Sequence, residues 1–514
     1  MAVKLFAAIG IGSGVTSMKI FQFNSRREMK EIEFISTRLN LGLDAYQDGK
    51  INRDNIEALC SVLLDFKRIM LSYNITDYRI RATSAFRESR NMLIMRDYIE
   101  KQTGLRIGVL SNSEQRFVDY KAIASVTAEF STIIQSPAAI VDIGGNSLQV
   151  SLFDKDKLIT TQNIHVGSVT AREDLMPLAN NTAHFEKMVI ELLNHELAGF
   201  AKLYQKDRQI RNLIVIGGGL SEVFERYTSS GRKIRSLESD QFATAYEGIL
   251  SKTPDEIADF FGVTSDTAQE VIPSAIVCRC LLDNFGAQTL WLPQYSICDG
   301  MAYDFGTKNH LITGYHNFEE DIIAAARSIS KRYKCNQSHV KNLEEMALQV
   351  FDRMKKVHGM GKRERLLLQI AIILHNCGKF ISLEDVSDCA FNIIMATEII
   401  GLSHAEREMI AYTVKFNNSP FVYYDELAIN TDLNQEQYMI VAKLTAILRV
   451  VNALDRTHKQ KCKNLVVTLK EHELRLLATT PEDLTLEKAS LKSKTDFFEE
   501  VFNVQLIFKQ KKPL

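Results

Sequence analysis

Two glycine-rich turns, each at the end of an apolar strand rich in β-branched residues, are the part of this sequence best suited to chemistry. The residues that would contact a ligand are Gly12 and Ser13 in the first turn, and Gly144, Gly145, Asn146 and Ser147 in the second. Because glycine has no Cβ, such a turn lets successive backbone N–H groups approach an anionic oxygen closely. Two turns of this kind predict two related half-domains that face each other across a cleft, an arrangement that suits a phosphate ester or anhydride.

Three charged side chains near these turns are candidates for acid–base or anion chemistry. Asp142 ends a buried, valine-containing strand, where a carboxylate without a partner would be costly. Glu114 stands where a helix is expected to begin, so it could equally complement the helix dipole behind a serine N-cap. Arg87 has a fork geometry suited to phosphate, although an ion pair at the surface, with Glu88 beside it, is the default for such a segment.

Length and composition indicate an ordinary folded protein of several domains. The 514 residues are too many for one core, so two to four domains are expected. The formal net charge of -1 provides no global attraction to nucleic acid or to anionic membranes. The 8 cysteines show no CxxC spacing and no signal peptide precedes the first strand, so we expect a cytoplasmic protein with reduced thiols.

The pattern of apolar residues changes from mixed strand and helix to purely helical along the chain. Strands are predicted at 4–10, 16–23, 30–38, 78–84, 106–111, on both sides of the second turn within 136–153, and at 157–165, 212–216 and 288–292. Helices are predicted at 53–72, 90–103, 113–126, 169–175, 183–204, 239–250, 254–261 and 266–285. The polar stretch 306–310 is interpreted as a linker, helices follow from 317, and 464–478 and 501–509 have a β-like pattern.

Several motifs, in this order along nearly the whole chain, resemble the exopolyphosphatase/guanosine pentaphosphate phosphohydrolase (Ppx/GppA) family. Besides the first glycine turn they are RATSAFRESRN at 81–91, LSNSE at 110–114, DIGGNS at 142–147, VGSVT at 166–170, GGG at 217–219 and CDGM at 298–301. The resemblance implies an α/β fold of two actin-like (ASKHA, ribonuclease H-like) lobes, followed by an α-helical, degenerate HD-like domain. The limits implied are 1–125 for lobe I, 126–305 for lobe II, 317–465 for the helical domain and 466–514 for a small mixed tail.

The same resemblance implies stepwise, magnesium-assisted hydrolysis of a terminal phosphoanhydride, in inorganic polyphosphate or in pppGpp, by a homodimer. It makes Glu114 the general base and a weak second ligand of Mg²⁺, and Asp142 the main magnesium ligand. Arg87 and the two glycine turns would bind the phosphate chain. Gly217 and Gly218 would approach a nucleoside, unless the glycine run only ends its strand. Neither DNA nor a membrane is expected as a partner.

Two departures from the family pattern weaken the expected metal site. Gly10 stands where the family has an aspartate, and Gln149 stands where it has a glutamate. Since magnesium affinity depends on the number and charge of the ligands, binding should be weaker than in the family. The alternative is therefore a weakly catalytic or inactive member that binds polyphosphate or (p)ppGpp as a sensor. A third reading, an actin-like sugar kinase or ATPase, is disfavoured by the arginine and glutamate motifs between the two turns.

The helical half carries the remnant of an HD signature. Asn376 follows His375 where the signature has its aspartate, and His339 and Asp455 fall at the other signature positions. Losing the bridging carboxylate removes most of the metal affinity of such a site. We therefore expect His375 to be a buried, hydrogen-bonded core residue and the region to hold no tightly bound metal.

Overall fold

The computed structural model describes residues 3–39, 41–126, 130–144, 147–164, 182–224, 234–263, 265–314, 316–462 and 464–512. Contacts within the chain divide it into two compact units, Met1–Asp321 and Ile322–Leu514. The finer domain limits expected at 125, 305 and 465 remain predictions.

The first unit begins with a five-stranded sheet in the order β3-β2-β1-β4-β5, which we call the lobe I sheet. Its strands are β1 (Lys4–Ile11), β2 (Val15–Phe23), β3 (Met29–Arg38), β4 (Tyr78–Ala82) and β5 (Gly108–Val109). Its helices are α1 (Leu41–Gln47), α2 (Arg53–Ser72), α3 (Ser84–Glu88), α4 (Met92–Thr103) and α5 (Asn112–Val126). β1, β4 and β5 run parallel to one another, whereas β2 is antiparallel to both of its neighbours, β1 and β3. The short helices α1 and α3 were not expected from the sequence.

Both faces of β1 are covered, which explains why its last six residues are all buried. Side chains alternate along a strand, so Ala7 and Ile9 enter one hydrophobic core while Phe6 and Ala8 enter another. The first core includes residues of α2 and α4. An uninterrupted apolar run is the pattern of a strand buried on both faces.

The rest of the first unit is built on a six-stranded sheet in the order β10-β11-β9-β6-β7-β8, the lobe II sheet. Its strands are β6 (Ala138–Ile143), β7 (Leu148–Asp154), β8 (Lys157–Ile164), β9 (Asn212–Gly217), β10 (Ile234–Glu238) and β11 (Thr289–Pro293). Its helices are α6 (Phe130–Ile133), α7 (Thr182–Phe200), α8 (Leu220–Phe224), α9 (Ser239–Leu250), α10 (Pro254–Phe261), α11 (Ser265–Phe285) and α12 (Ile297–Lys308). The order β8-β7-β6-β9-β11 repeats that of the lobe I sheet, so the predicted pair of related half-domains is confirmed. The helix expected at 169–175 lies outside the described residues.

Helix α12 follows the lobe II sheet in sequence but packs on the lobe I sheet. The ring of Phe305 stacks on Phe6 at a centroid distance of 4.2 Å. A Cβ on Gly306 would lie 2.6 Å from Cε1 of Phe23, so only glycine allows this approach. The linker expected at 306–310 is therefore wrong: the helix continues to Lys308, and its glycine serves packing.

The second unit is mainly helical and ends in a small sheet. Its helices are α13 (Phe318–Arg332), which begins just before the boundary, α14 (Gln337–Arg353), α15 (Lys355–His358), α16 (Lys362–Leu374), α17 (Val386–Ala396), α18 (His404–Asn418), α19 (Tyr424–Leu427), α20 (Gln435–Ala453) and α21 (Thr485–Phe502). The sheet has the order β12-β13-β14, formed by β12 (Val466–Lys470), β13 (Glu473–Thr479) and β14 (Gln505–Lys511).

The state of the cysteines and the character of the helices can be read directly from the described residues. Each of the 8 cysteines is a free thiol, and all except Cys389 are buried. No helix in the described part of the chain combines the length and the apolar character needed to cross a membrane.

His316, in the segment before α13, is held between two carboxylates of the first unit. Its Nδ1 lies 3.0 Å from Oδ1 of Asp156, and its Nε2 lies 2.5 Å from Oδ2 of Asp321. Burial alone would lower the pKa of His316, but the hydrogen bond and charge of Asp321, with those of Asp156, raise it above 6.5. The structure therefore favours the imidazolium form, with both N–H groups donating.

We expect the free energy of unfolding to fall as the pH rises through the raised pKa of His316. Its contribution is complete below the unfolded pKa of about 6.5, where both states bind the proton equally. His316→Asn should lower the free energy of unfolding by roughly 2 kcal/mol at pH 6, because a buried charge-assisted pair is lost. Urea unfolding between pH 6 and 9 measures both effects, with His310→Asn, at an exposed position, as the control. An identical pH slope in the wild type and His316→Asn would contradict the assignment.

Candidate functional site

Three parallel strands of the lobe I sheet end at one edge, and the predicted residues of this lobe follow them. Ile11 of β1 is followed by Gly12 and Ser13, β4 by Thr83, and β5 soon afterwards by Glu114. Ligands of α/β sheets bind at the carboxyl ends of parallel strands. The fold thus gathers the first glycine turn, the start of α3 and the start of α5 at one edge.

The first glycine turn carries a cluster of three hydroxyl groups, which we call the hydroxyl triad. Oγ of Ser13 lies 2.7 Å from Oη of Tyr46 and 2.9 Å from Oγ of Ser84. The Tyr46 hydroxyl in turn donates to Ser84 across 2.8 Å. Ser84 lies in the motif at 81–91, but no role was predicted for it. Tyr46 was missed because helix α1 was not expected.

Arg87 is directed to the end of β5 and makes its shortest contacts there. Its Nη1 donates to the carbonyl of Leu110 at 2.8 Å and to Oε1 of Gln115 at 3.3 Å. The neighbouring Glu88 is 3.9 Å away, at the limit of an ion pair. Burial lowers the pKa of Arg87, with a smaller opposing effect of Glu88. The guanidinium is therefore a partly buried cation at the sheet edge, and the ion pair with Glu88 is its weakest contact.

Glu114 caps the helix on which it lies. The backbone N–H and the hydroxyl of Ser111 both donate to its Oε2, at 3.0 and 2.8 Å, and the Glu114 N–H donates to the Ser111 hydroxyl at 3.3 Å. This is a reciprocal capping box. The capping role left open by the sequence is therefore present, and it uses one of the two carboxylate oxygens.

Asp142 is brought to helix α5 by an arginine that the sequence reasoning missed. Oδ2 of Asp142, at the end of β6, lies 3.6 Å from Nε of Arg116, which also donates to Asn163 at 3.4 Å. Burial raises the pKa of Asp142, and Arg116 opposes that shift. Arg116 stands two residues after Glu114, just beyond the LSNSE motif, and no local pattern marks it as the partner of Asp142. This contact connects the helix of lobe I with the sheet edge of lobe II.

Asp119, one helical turn after Arg116, adds a second buried carboxyl group. It is only 7% exposed. Burial and the charge of Asp142 raise its pKa well above the usual value, while Arg116 acts in the opposite direction. The charge of Arg116 thus acts on two buried carboxyl groups, and perturbed groups of this kind are common at functional sites.

The second glycine turn is described only at its two ends. The N–H of Gly144 donates to the carbonyl of Ser147 at 3.0 Å. Gly145 and Asn146 lie outside the described residues, and so does the predicted approach of Gly145 to Gly12.

The third glycine turn needs glycine for conformational reasons. Gly217 and Gly218 have φ of 80° and 63°, in the left-handed region. A Cβ on Gly217 would lie 2.4 Å from the carbonyl oxygen of Ile143, and one on Gly218 would lie 2.3 Å from Oγ of Ser274. Gly217 pairs with Ile143 at the end of β6, so the third turn lies next to the second glycine turn. Its conformation accounts for the glycines, and a contact to a nucleoside remains a prediction.

Comparison with family models assigns the chain. The model of the Ppx/GppA phosphatase family matches residues 23–308, and that of Ppx/GppA phosphatase domain III matches residues 323–496. The chain belongs to the Ppx/GppA phosphatase family.

Individual relatives within and around this family are distant. A guanosine-5'-triphosphate,3'-diphosphate pyrophosphatase of Aeromonas hydrophila is 19% identical, over 79% of each chain. Exopolyphosphatase 1 of Mycobacterium tuberculosis is 21% identical, over 52% of this chain and 78% of its own. The crystal structure of the Aquifex aeolicus Ppx/GppA family member matches with a TM-score of 0.52 and 18% identity, over 60% of this chain and 99% of that chain. At this identity the likeness is one of fold, and it confirms the two actin-like lobes.

The position where the Ppx/GppA pattern has its first aspartate is closed in this chain. A Cβ on Gly10 would lie 2.5 Å from Cγ2 of Ile297, the first residue of α12. The described residues also contain no group of three or more His, Cys, Asp or Glu side chains that could hold a metal ion. A magnesium ion that arrives with phosphates needs only one or two carboxylates, however, so its ligation by Asp142 and Glu114 remains a prediction.

We expect Ile297 to exclude any side chain at Gly10. Gly10→Ala should lower the free energy of unfolding by roughly 1–3 kcal/mol, because a methyl group is forced into an occupied space. The cost should shrink in an Ile297→Ala background, giving a coupling that urea denaturation of the four proteins measures. Gly14→Ala is the control, since nothing lies within 4 Å of its Cβ position. Equal costs of Gly10→Ala in both backgrounds would refute the steric account.

The HD-like positions of the second unit form a buried hydrogen-bonded chain. Nδ1 of His375 donates to the carbonyl of Ile372 at 2.6 Å, so its Nε2, 3.2 Å from Nε2 of His339, can only accept. Nδ1 of His339 lies 2.7 Å from Oδ2 of Asp455. Burial and the charge of His339 lower the pKa of His375 to about 3. The nitrogens that would face a metal thus face each other, as expected of a hydrogen-bonded core.

The second unit should accordingly hold no tightly bound transition metal. Elemental analysis of the full-length protein after dialysis should find iron, manganese and zinc far below one per chain. One equivalent of any of them, lost on His339→Ala or His375→Ala, would show that these histidines are ligands instead.

Proposed function

We propose that this protein is a cytoplasmic phosphoanhydride hydrolase that releases terminal phosphate from inorganic polyphosphate, and from pppGpp. The relatives' names point to these two substrates. The observation that carries the proposal is the placement of Arg87, Glu114, Arg116 and Asp142 around the two sheet edges, linked by helix α5. The two arginines suit the binding of a polyphosphate chain, and the two carboxylates suit magnesium binding and the activation of water.

Arg87 and Glu114 have direct roles in the proposed reaction. Phosphoryl transfer requires neutralisation of the phosphoryl oxygens and a positioned water molecule. Arg87 binds the anionic chain at the lobe I edge. The oxygen of Glu114 that Ser111 does not occupy orients the attacking water and takes its proton. The water oxygen bonds to the terminal phosphorus, the bridging P–O bond breaks, and inorganic phosphate leaves with the chain one unit shorter.

Magnesium would be held by Asp142, with Glu114 as a weaker ligand, and would neutralise charge on the phosphates. Arg116 competes for the Asp142 carboxylate in the structure. That competition, together with the closed position at Gly10, supports weak magnesium binding.

A second candidate function is a sensor that binds polyphosphate or (p)ppGpp without turnover. The capping box of Glu114 favours it, because the proposed base already has a structural task. Phosphate release from long-chain polyphosphate and pppGpp, with and without magnesium, separates the two: release that magnesium accelerates supports the hydrolase.

Glu114→Gln should reduce turnover roughly 100-fold or more, because the general base is lost. Glutamine accepts the same capping hydrogen bonds, so helix α5 should stay intact. Binding of substrate should survive, since Arg87 and the glycine turns are unchanged. Phosphate release and the dissociation constant for polyphosphate measure the two effects.

Helix α10 offers a matched control for this substitution. Glu256 caps it through Thr253 with the same three contacts, at 2.8, 3.1 and 3.3 Å. Glu256→Gln should leave turnover unchanged. If Glu114→Gln releases phosphate at the wild-type rate, Glu114 is not the base and the hydrolase mechanism proposed for it fails.

A further inference from the structure

The hydroxyl triad of Ser13, Tyr46 and Ser84 is built into the lobe I edge by close packing. The N–H of Gly42, on α1, donates to the carbonyl of Ser13 at 2.8 Å. A Cβ on Gly42 would lie 2.7 Å from Cβ of Ser13 and 3.1 Å from Cε2 of Tyr46. Helix α1 therefore lies directly against the first glycine turn and brings the phenol to it.

The position of the triad suits an anion better than a purely structural contact. Tyr46 is 52% exposed, so its hydroxyl is not needed to satisfy a buried group. Ser13 lies on the glycine turn after β1, Ser84 follows β4, and Arg87 lies one turn further along α3. Three hydroxyls thus meet where the carboxyl ends of parallel strands place ligands, and Arg87 belongs to the same short helix as Ser84.

The geometry of the triad fits one oxygen atom of a phosphoryl group. Its oxygens are 2.7, 2.8 and 2.9 Å apart, so an oxygen above their plane can lie at hydrogen-bond distance from all three. Each hydroxyl hydrogen rotates freely and can turn from its neighbour to an incoming acceptor. Neutral hydroxyls can also stand this close together without a counter-ion, which three cations could not.

We propose that Tyr46, together with Ser13 and Ser84, forms the subsite for the terminal phosphoryl group of the substrate, with Tyr46 as a hydrogen-bond donor to that group. The assignment rests on the proposed function for its ligand class, and it adds a residue that neither the sequence nor the family pattern assigns. Polyphosphate and pppGpp share the terminal phosphoryl group, so one subsite serves both.

Tyr46→Phe tests the assignment by removing a single hydroxyl. Titration calorimetry with tripolyphosphate in EDTA, which prevents magnesium-assisted turnover, should give a dissociation constant about tenfold higher, as for one lost charge-assisted hydrogen bond. In the presence of magnesium, KM for long-chain polyphosphate and for pppGpp should rise by a similar factor, with kcat changed less than about threefold. Ser84→Ala should weaken tripolyphosphate binding likewise. Tyr98→Phe, at an exposed tyrosine on α4 of the same lobe, should change nothing.

The outcomes separate this proposal from the hydrolase itself. Weaker binding by Tyr46→Phe in a protein that shows no turnover would leave the subsite standing while the proposed hydrolysis fails. Unchanged or tighter binding by Tyr46→Phe in an active enzyme would overturn the subsite and leave the hydrolase. A lower melting temperature with unchanged binding constants would reduce the triad to a structural contact and overturn it too. A wild type that binds no tripolyphosphate would overturn the subsite, whereas the hydrolase is decided by phosphate release in the presence of magnesium.

Discussion

The close crossing of helices α5 and α12 is the constraint on which the candidate site depends. Gly300 of α12 lies so near α5 that a Cβ there would be 2.1 Å from the carbonyl oxygen of Val118. The contact fixes α5 against α12, and α12 is itself anchored on the lobe I sheet by Phe305. Since Glu114 and Arg116 both lie on α5, their positions relative to the lobe I sheet follow from this packing rather than from the strands alone, and Arg116 reaches Asp142 of lobe II from there.

Much of the fold can be predicted from local sequence patterns, whereas the elements that were not predicted depend on contacts with residues distant in the chain. The strands around Gly12 and Gly144 could be predicted because apolar β-branched runs meet glycines there. Helix α12 could not, because Gly306 reads locally as a breaker, whereas its role is to accept the ring of Phe23 from the other end of the unit.

The same distinction applies to the site. Arg87, Glu114 and Asp142 stand in recognisable motifs, and all three lie at sheet edges as expected. No local pattern predicts that Arg116 contacts Asp142, or that Tyr46 joins the hydroxyl triad. The closure of the Gly10 position by Ile297 is of this kind too: the sequence shows that an aspartate is absent, and only the packing shows that an isoleucine fills its place.

The capping role of Glu114 and a catalytic role are compatible on physical grounds. A base must be held within reach of its water, and two hydrogen bonds from Ser111 to one oxygen hold the carboxylate in a fixed orientation. Glu256 has the same cap on α10, so capping alone does not mark a site. What distinguishes Glu114 is its surroundings: Arg116 on the same helix, Asp142 of β6 beside that arginine, and the guanidinium of Arg87 at the neighbouring strand end. A capped glutamate among these charges is a carboxylate held in position near two cations, which is what the proposed hydrolysis of a phosphoanhydride would require.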